Sequence, residues 1–294
     1  MKRKASDYII DTVIWISLII LCVLCLYPYL NQIAISLNEG MDSARGGITI
    51  FPRKFTWENY RALFSDSSYG RAFSITVLRA VCNMLIQNIV VFGAAYALTR
   101  KRLRGRKFFT AYLAVPMYLH AGLIPMYILY RSLGLINNFW VYVLPYSFAF
   151  YNMVIVRSFV QDIPESLEES ALLDGANEMT ILFKIILPLS LPVLATVSLW
   201  ILVGQWNDWT TALYYVTNEK LYPLQYLMMR VIKQGEQLRQ QAILEAMGSD
   251  TSVQTTSESV KAAMIIATSI PIIAVYPFLQ KYFVSGVTLG AVKG

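Results

Sequence analysis

The chain has 294 residues, of which 56% are apolar and only 15% charged, and it carries a formal charge of +7. Soluble domains of this size hold about 45 to 50% apolar residues, so a water-soluble globule is excluded and the bilayer is the expected solvent. In such a chain the excess of Lys and Arg reads as a topology signal, and no nucleic-acid role is warranted.

A helix needs ~18 to 25 largely uncharged residues to cross ~30 Å of hydrocarbon. Six runs meet that demand, near 11–34, 72–98, 109–130, 139–159, 186–206 and 261–280. The expected fold is an all-α integral membrane protein with residues 1–294 as a single domain, since neither a repeat nor a linker divides them.

The first run follows Lys2-Arg3-Lys4. It is too long for the apolar core of a secretory signal and no small-residue cleavage site comes after it, so a retained helix is expected. Cys22 and Cys25 lie inside it at a spacing poorly set for a disulfide and without further metal ligands; they read, like Cys82, as small lipid-facing or core residues. The segment 36–71, with Gly46-Gly47, Pro52 and Trp57, is expected to form a small outer cap ordered by packing.

The second run holds Arg79, Asn83 and Gln87 and leads into the basic cluster Arg100-Lys101-Arg102, Arg104 and Arg106-Lys107. That cluster and the basic N-terminus are assigned to the cytoplasm, and an even number of spans returns the C-terminus there: N-in, C-in. Arg79 has two open readings, snorkelling outward or countering an acidic ligand.

The fourth and fifth runs flank an acidic loop, 160–184, which this topology puts in the cytoplasm. Pro164 suits a first helical turn and Ser166-x-x-Glu169 has capping-box spacing, so a short helix is expected through Asp174. Gly175 ends it in a left-handed conformation, and Ala176 to Lys184 form a second helix running into the membrane. Ala171 and Leu172, ringed by Glu168, Glu169 and Asp174, make a docking knob. A loop merely resting on lipid headgroups is disfavoured, because each acidic charge beside an anionic leaflet costs roughly 1 kcal/mol.

A second outer segment, 207–260, is aromatic and amide-rich up to Gln241 and Ser/Thr-rich from Ser249 to Ser259, which suggests a short helix and a mobile loop. Thr255-x-x-Glu258 has capping-box spacing ahead of the last run, and Pro271 and Pro277 are expected to kink it. No Gly is followed by Lys, so there is no phosphate loop; His120 is the single histidine and no metal-ligand spacing or nucleophile elbow occurs. The sequence offers no catalytic residues, no metal site and no cofactor site.

Glu169-Ser170-Ala171 followed by Gly175 and then Ile185-Ile186-Leu187-Pro188 resembles the EAA loop of ABC importer permeases. The resemblance implies a type I importer permease fold and a role in ATPase coupling for Glu169, Ala171, Gly175 and Pro188, to which the docking knob adds Leu172 and Asp174; Ser170 stands where the family often has Ala. Ala95-Tyr96-Ala97-Leu98-Thr99-Arg100, Leu133-Gly134-Leu135-Ile136-Asn137-Asn138, Trp206-Asn207-Asp208-Trp209 and Gln280-Lys281-Tyr282-Phe283 resemble the carbohydrate, maltose-type branch, notably the oligosaccharide and aldouronate-type permeases of Gram-positive bacteria. This second resemblance implies a protein of the bacterial cytoplasmic membrane with a second permease subunit, two cytoplasmic ATPase subunits that carry the ATP and Mg, and an extracellular solute-binding protein as partners. It further implies that the tail with Gly290, Lys293 and Gly294 reaches the ATPase interface.

Polar groups inside spans are costly unless they face a bundle interior or a wet cavity, so they mark a candidate path. Asn83, Gln87, Asn152, Gln205 and Asn207 offer amides, and Tyr118, Tyr151, Trp200 and Trp206 offer flat faces for sugar rings. The plainer reading makes the amides helix-to-helix glue and the aromatics interfacial belts. Rival functions are an amino-acid or peptide permease of the same class, an ion-coupled secondary transporter, which needs intramembrane carboxylates that these spans hardly carry, and a membrane scaffold.

Overall fold

The computed structural model describes residues 5–119, 121–234 and 256–291. Among them the regular structure is helical, with one isolated antiparallel bridge between Asn38 and Phe55. In chain order the helices are α1 (Ala5–Ser36), α2 (Gly40–Ala44), α3 (Glu58–Ser65), α4 (Ser67–Thr99), α5 (Arg106–Tyr118), α6 (Leu123–Ser132), α7 (Phe150–Gln161), α8 (Glu165–Leu173), α9 (Glu178–Ile181), α10 (Leu187–Asn207), α11 (Thr210–Tyr215), α12 (224–234) and α13 (Thr256–Ala291). The chain divides into two units, 1–70 with 228–270 and 71–227 with 271–294.

In the first unit every side chain from 12 to 28 on α1 is exposed, including the free thiols of Cys22 and Cys25. A helix that is apolar and bare all round is stable only in lipid or against other helices. Beyond it the segment 36–71 folds as the expected cap. Asn38 is its hub: fully buried, it donates to Asp42 Oδ2 (3.0 Å) and Ser43 Oγ (2.9 Å) and accepts from Lys54 N (2.7 Å). Asn59 closes the cap by donating to the Ser36 and Asn38 carbonyls, both at 2.9 Å.

The second unit is built on α4, α7 and α10. Val91, Ala95 and Leu98 of α4, Met153, Val156 and Val160 of α7, and Val193, Val197 and Ile201 of α10 recur at helical spacing and are buried together with Ile181 and Ile186. Between helices in lipid the gain is dispersion and close approach rather than escape from water, which favours small and β-branched residues at these positions.

Three helices are by themselves long and apolar enough to cross a membrane among the described residues: Ile10–Ser36, Ser67–Thr99 and Glu178–Asn207. The third and fourth predicted spans are each broken. Gly122, at φ 84°, separates α5 from α6, whose Pro125 sits in a first turn where the missing N–H loses no partner. The stretch 139–159 opens as two 3-10 turns, Phe139–Tyr142 and Leu144–Tyr146, and bends by 48° into α7. Asn138 starts this stretch by accepting from Trp140 N (3.1 Å), and Pro145 prevents an α-helix from forming there. The fifth predicted span is one helical run from Glu178, with a π turn at Leu182–Ile186 just before Pro188. A proline without an N–H leaves a carbonyl of the preceding turn unmatched, and the wider turn accommodates it. The sixth, 261–280, lies within α13, which runs through both prolines. Thr255, half of the second capping box, lies outside the described residues.

The Asp42 carboxyl is held below its ordinary value of 3.8 by the Asn38 hydrogen bond and by Arg53 at 2.9 Å. A lowered folded value means that the stabilisation is complete above the unfolded value and is lost as pH falls through the folded one. Protection of the 37–58 segment from protease in membranes should therefore be flat from about pH 8 to about pH 5 and fade only below about pH 4. Asn38→Ala should cost on the order of 2 kcal/mol, because it strands buried partners, and make the segment cleavable at neutral pH.

Candidate functional site

Two places in the second unit carry chemistry. The first is the cytoplasmic helix pair α8–α9. Pro164, with φ −58° and ψ 128°, precedes α8 as its N-cap, so Ser166 falls inside the helix and the predicted Ser166/Glu169 capping box does not form. The C-terminal expectation is met in full. Gly175 takes φ 81°, its N–H bonds to the Leu172 carbonyl (3.0 Å), and the Ala176 N–H reaches back to the Ala171 carbonyl (2.9 Å). This double closure is the Schellman arrangement, with Ala171 and Ala176 both packed on the core. Asn177, to which the sequence pattern alone gave no role, caps α9 by accepting from Thr180 N (2.8 Å) and Thr180 Oγ1 (2.9 Å); the Asn-x-x-Thr spacing was its signal.

The knob differs from expectation in one respect. Glu168 does not belong to an outward-facing acidic ring: its carboxylate takes both terminal nitrogens of Arg100, just beyond the end of α4. The Arg100 guanidinium also lies 3.9 Å over the Tyr96 ring, and the Tyr96 hydroxyl donates to Glu178 (3.0 Å). Lys101 adds a bond to Glu165 at 2.7 Å, which lowers the Glu165 carboxyl value and raises that of Lys101. The helix pair is thus tied to α4 by bidentate and stacked Arg contacts, the geometry at which Arg is strongest. Left exposed are Glu169, Leu172, Leu173, Asp174, Gly175 and Pro188, with Leu173 90% exposed, while Ala171 is half-buried. Met179 and Phe183 extend the bare apolar surface.

The second place is an open cleft of about 350 Å³ lined by Asn83, Gln87, Tyr146, Asn152, Trp200, Ile201, Gly204, Gln205 and Asp208. Of the residues picked out for a path, Asn83, Gln87, Asn152, Trp200 and Gln205 meet there, and Tyr151 stands beside it with its ring 6.1 Å from that of Trp200. Tyr118, Trp206 and Asn207 do not line it. Tyr118 is exposed at the end of α5, Trp206 packs edge-on against Phe73 at 5.9 Å, and Asn207 donates to the Val203 carbonyl (3.0 Å). Gly290 falls in α13, and Lys293 and Gly294 lie outside the described residues.

The amides also serve as glue. Asn83 donates to the Val143 carbonyl (3.2 Å) and Gln87 to the Tyr146 carbonyl (2.6 Å), both at the 3-10 break ahead of α7, and Asn152 donates to Gln87 Oε1 (3.3 Å). Arg79 does not snorkel. It is fully buried, donates to the carbonyls of Gln205 and Asp208, and pairs with Asp208 Oδ2 at 3.3 Å, with the Tyr142 ring 5.0 Å away. Asp208 in turn accepts from Thr210 N, Thr210 Oγ1 and Thr211 N at the head of α11. In the sequence Asp208 stands within the Trp206–Trp209 motif, and nothing there signals this pairing.

The polar cleft among the core helices and the helix pair clamped to α4 belong to a transport permease subunit of the type I fold. The chain belongs to the family described as binding-protein-dependent transport system inner membrane component, which its residues 89–289 match. It is 33% identical to the polygalacturonan/rhamnogalacturonan transport system permease protein YtcP of Bacillus subtilis (strain 168), over 98% of this chain and 100% of that one. It is 35% identical to Protein LplC of the same organism, over 91% and 89%. Among solved structures it resembles a chain of a bacterial ABC transporter involved in the import of the acidic polysaccharide alginate, with a TM-score of 0.86, 29% identity, and 96% and 99% coverage. The protein is accordingly a multi-pass component of the cytoplasmic membrane.

Arg79→Leu should strand the Asp208 carboxylate and two carbonyls, costing on the order of 3 to 5 kcal/mol. Gel filtration of the detergent-extracted protein should show loss of the monodisperse species, with Arg79→Lys intermediate because it keeps the charge but not the fork.

Proposed function

We propose that this chain is the permease subunit of an ATP-driven importer of oligosaccharides and that it forms half of a translocation path. It pairs with a second permease, receives cargo from an extracellular solute-binding protein, and couples to two cytoplasmic ATPase subunits that hold the ATP and Mg. Residues 1–294 act as one permease domain. The observation that carries the cargo class is similarity over nearly the whole chain to permeases named for oligosaccharide transport, including the galactooligosaccharide permease GanQ of Bacillus subtilis (strain 168), 28% identical over 99% of this chain and 98% of that one.

The coupling role is supported by the shape of α8–α9: a rigid, capped helix pair that leaves Leu172 and Leu173 bare beside Glu169 and Asp174. Bare leucines on the cytoplasmic side call for a protein groove, and the Arg100 clamp gives movement of that groove a lever on α4. An ion-coupled transporter is disfavoured because the carboxylate at the cleft, Asp208, is spent on Arg79 and on the head of α11.

Affinity purification of the tagged chain from its own membranes in mild detergent should recover a second permease and an ATPase, with hydrolysis stimulated by oligosaccharide in the presence of the binding protein. Recovery of the chain alone would overturn the reading. Leu173→Asp should leave the permease folded yet reduce the co-purified ATPase by about tenfold, since one desolvated apolar anchor is worth ~1 to 3 kcal/mol at an interface.

A further inference from the structure

Arg157 is a cation inside an apolar run, and neither the cleft nor the coupling pair uses it. It lies on α7 one turn before the helix ends and is only partly buried. Among the described residues its guanidinium makes one long hydrogen bond, from Nη1 to Thr110 Oγ1 on α5 at 3.5 Å, and its Nε is enclosed without a partner. A charge at such a depth is costly unless an opposite group meets it. The chain offers none nearby in sequence, because positions 67 to 161 contain no Asp or Glu.

The loop leading into α5 has the same imbalance. Glu168 takes Arg100 and Glu165 takes Lys101, while no ion pair among the described residues holds Arg102, Arg104, Arg106 or Lys107. Thr110 joins this loop to Arg157: its hydroxyl donates to the Arg106 carbonyl (2.8 Å) and accepts from Arg157. Beside these cations the rings of Phe108 and Tyr112 are stacked with centroids 6.2 Å apart, and both are exposed, as is Phe109. No residue of α5 is buried.

We propose that the seam between the cytoplasmic ends of α5 and α7 binds the phosphate headgroup of an anionic phospholipid of the inner leaflet. Arg157 supplies a planar fork that suits a phosphodiester, Arg106 and Lys107 at the head of α5 supply further charge, and Phe108 and Tyr112 lie at headgroup depth. An acidic protein would have to bring desolvated carboxylates to a place where bare aromatic surface runs on into an apolar span; the leaflet brings phosphate and hydrocarbon together at that depth. The inference goes beyond the importer reading and needs neither its cargo nor its ATPase, only the placement in the membrane.

The test uses the tagged full chain, with whatever co-purifies from its own membranes, washed with mixed micelles of phosphatidylcholine and phosphatidylglycerol in equal amounts. Lipid retained per protein is measured by mass spectrometry. Wild type should prefer phosphatidylglycerol by at least about tenfold, and Arg157→Gln should lower that preference about fivefold, the scale of one cation at an anionic surface. Arg157→Lys should lie between them, and Arg131→Gln, a cation exposed at the other end of the α5–α6 pair, should change nothing. Arg106→Gln combined with Lys107→Gln, on the exposed side of the seam, decides the matter if Arg157→Gln is not monodisperse, and should also lower the preference at least about fivefold. Inorganic phosphate alone, in phosphatidylcholine micelles, should not raise the melting temperature as phosphatidylglycerol does. No preference in wild type, or equal losses from Arg131→Gln and Arg157→Gln, overturns the site. Equal thermal shifts from inorganic phosphate and phosphatidylglycerol overturn the lipid in favour of a free anion. Loss of a co-purifying protein from Arg157→Gln at unchanged lipid preference overturns it in favour of a protein partner.

Discussion

The constraint on which the second unit depends is that a break in a helix at membrane depth exposes carbonyls that no water can reach. The stretch 139–149 contains Pro145 and runs as 3-10 turns, in which the Val143 carbonyl takes the Tyr146 N–H (3.2 Å) in place of an α-helical partner. α4 adds amides one turn apart, Asn83 and Gln87, that reach across to the Val143 and Tyr146 carbonyls. The same arrangement recurs beyond α10, where Arg79 closes the Gln205 and Asp208 carbonyls that the end of the helix leaves free. One face of α4 therefore holds two irregular segments in place, and the cleft is the space left between them. A residue on this face is structural and cleft-lining at once, so the choice between helix glue and ligand contact is not exclusive.

The same helix ends at the cytoplasmic clamp. Tyr96 and Arg100 at its inner end grip Glu168 and Glu178, while Arg79, Asn83 and Gln87 further along hold the outer structures. Under the proposed coupling role, a displacement of α8–α9 would reach α4 through these contacts, and the other half of α4 walls the cleft. The π turn before Pro188 sits where α9 joins α10, a wide turn between the helix pair and the other wall.

Much of the site was legible without coordinates. Gly175 after a run of helix formers predicted a left-handed terminus, and it closes α8 as a full Schellman motif. Amides in apolar runs flagged Asn83, Gln87, Asn152 and Gln205, because an amide in lipid must be facing something. Other expectations failed for identifiable reasons. The Ser166/Glu169 box lost to Pro164, two residues earlier as N-cap, and Glu168 was assigned to an outer ring because its partner Arg100 is 68 residues away in sequence. Tyr118 and Trp206 were picked by residue type, which says nothing of where a side chain points.

What the sequence determined by itself is whatever depends on composition and short-range order: solvent, the positions of apolar runs, the sidedness set by Arg100 to Lys107, and the capped turn at Gly175. Only the tertiary structure decided how Arg79 is used, which amide atoms stay unmatched at the cleft, and that the third and fourth runs are broken. The physical reason is that the cost of a buried polar group is set by its partner, and here those partners come from segments 59 to 129 residues distant along the chain.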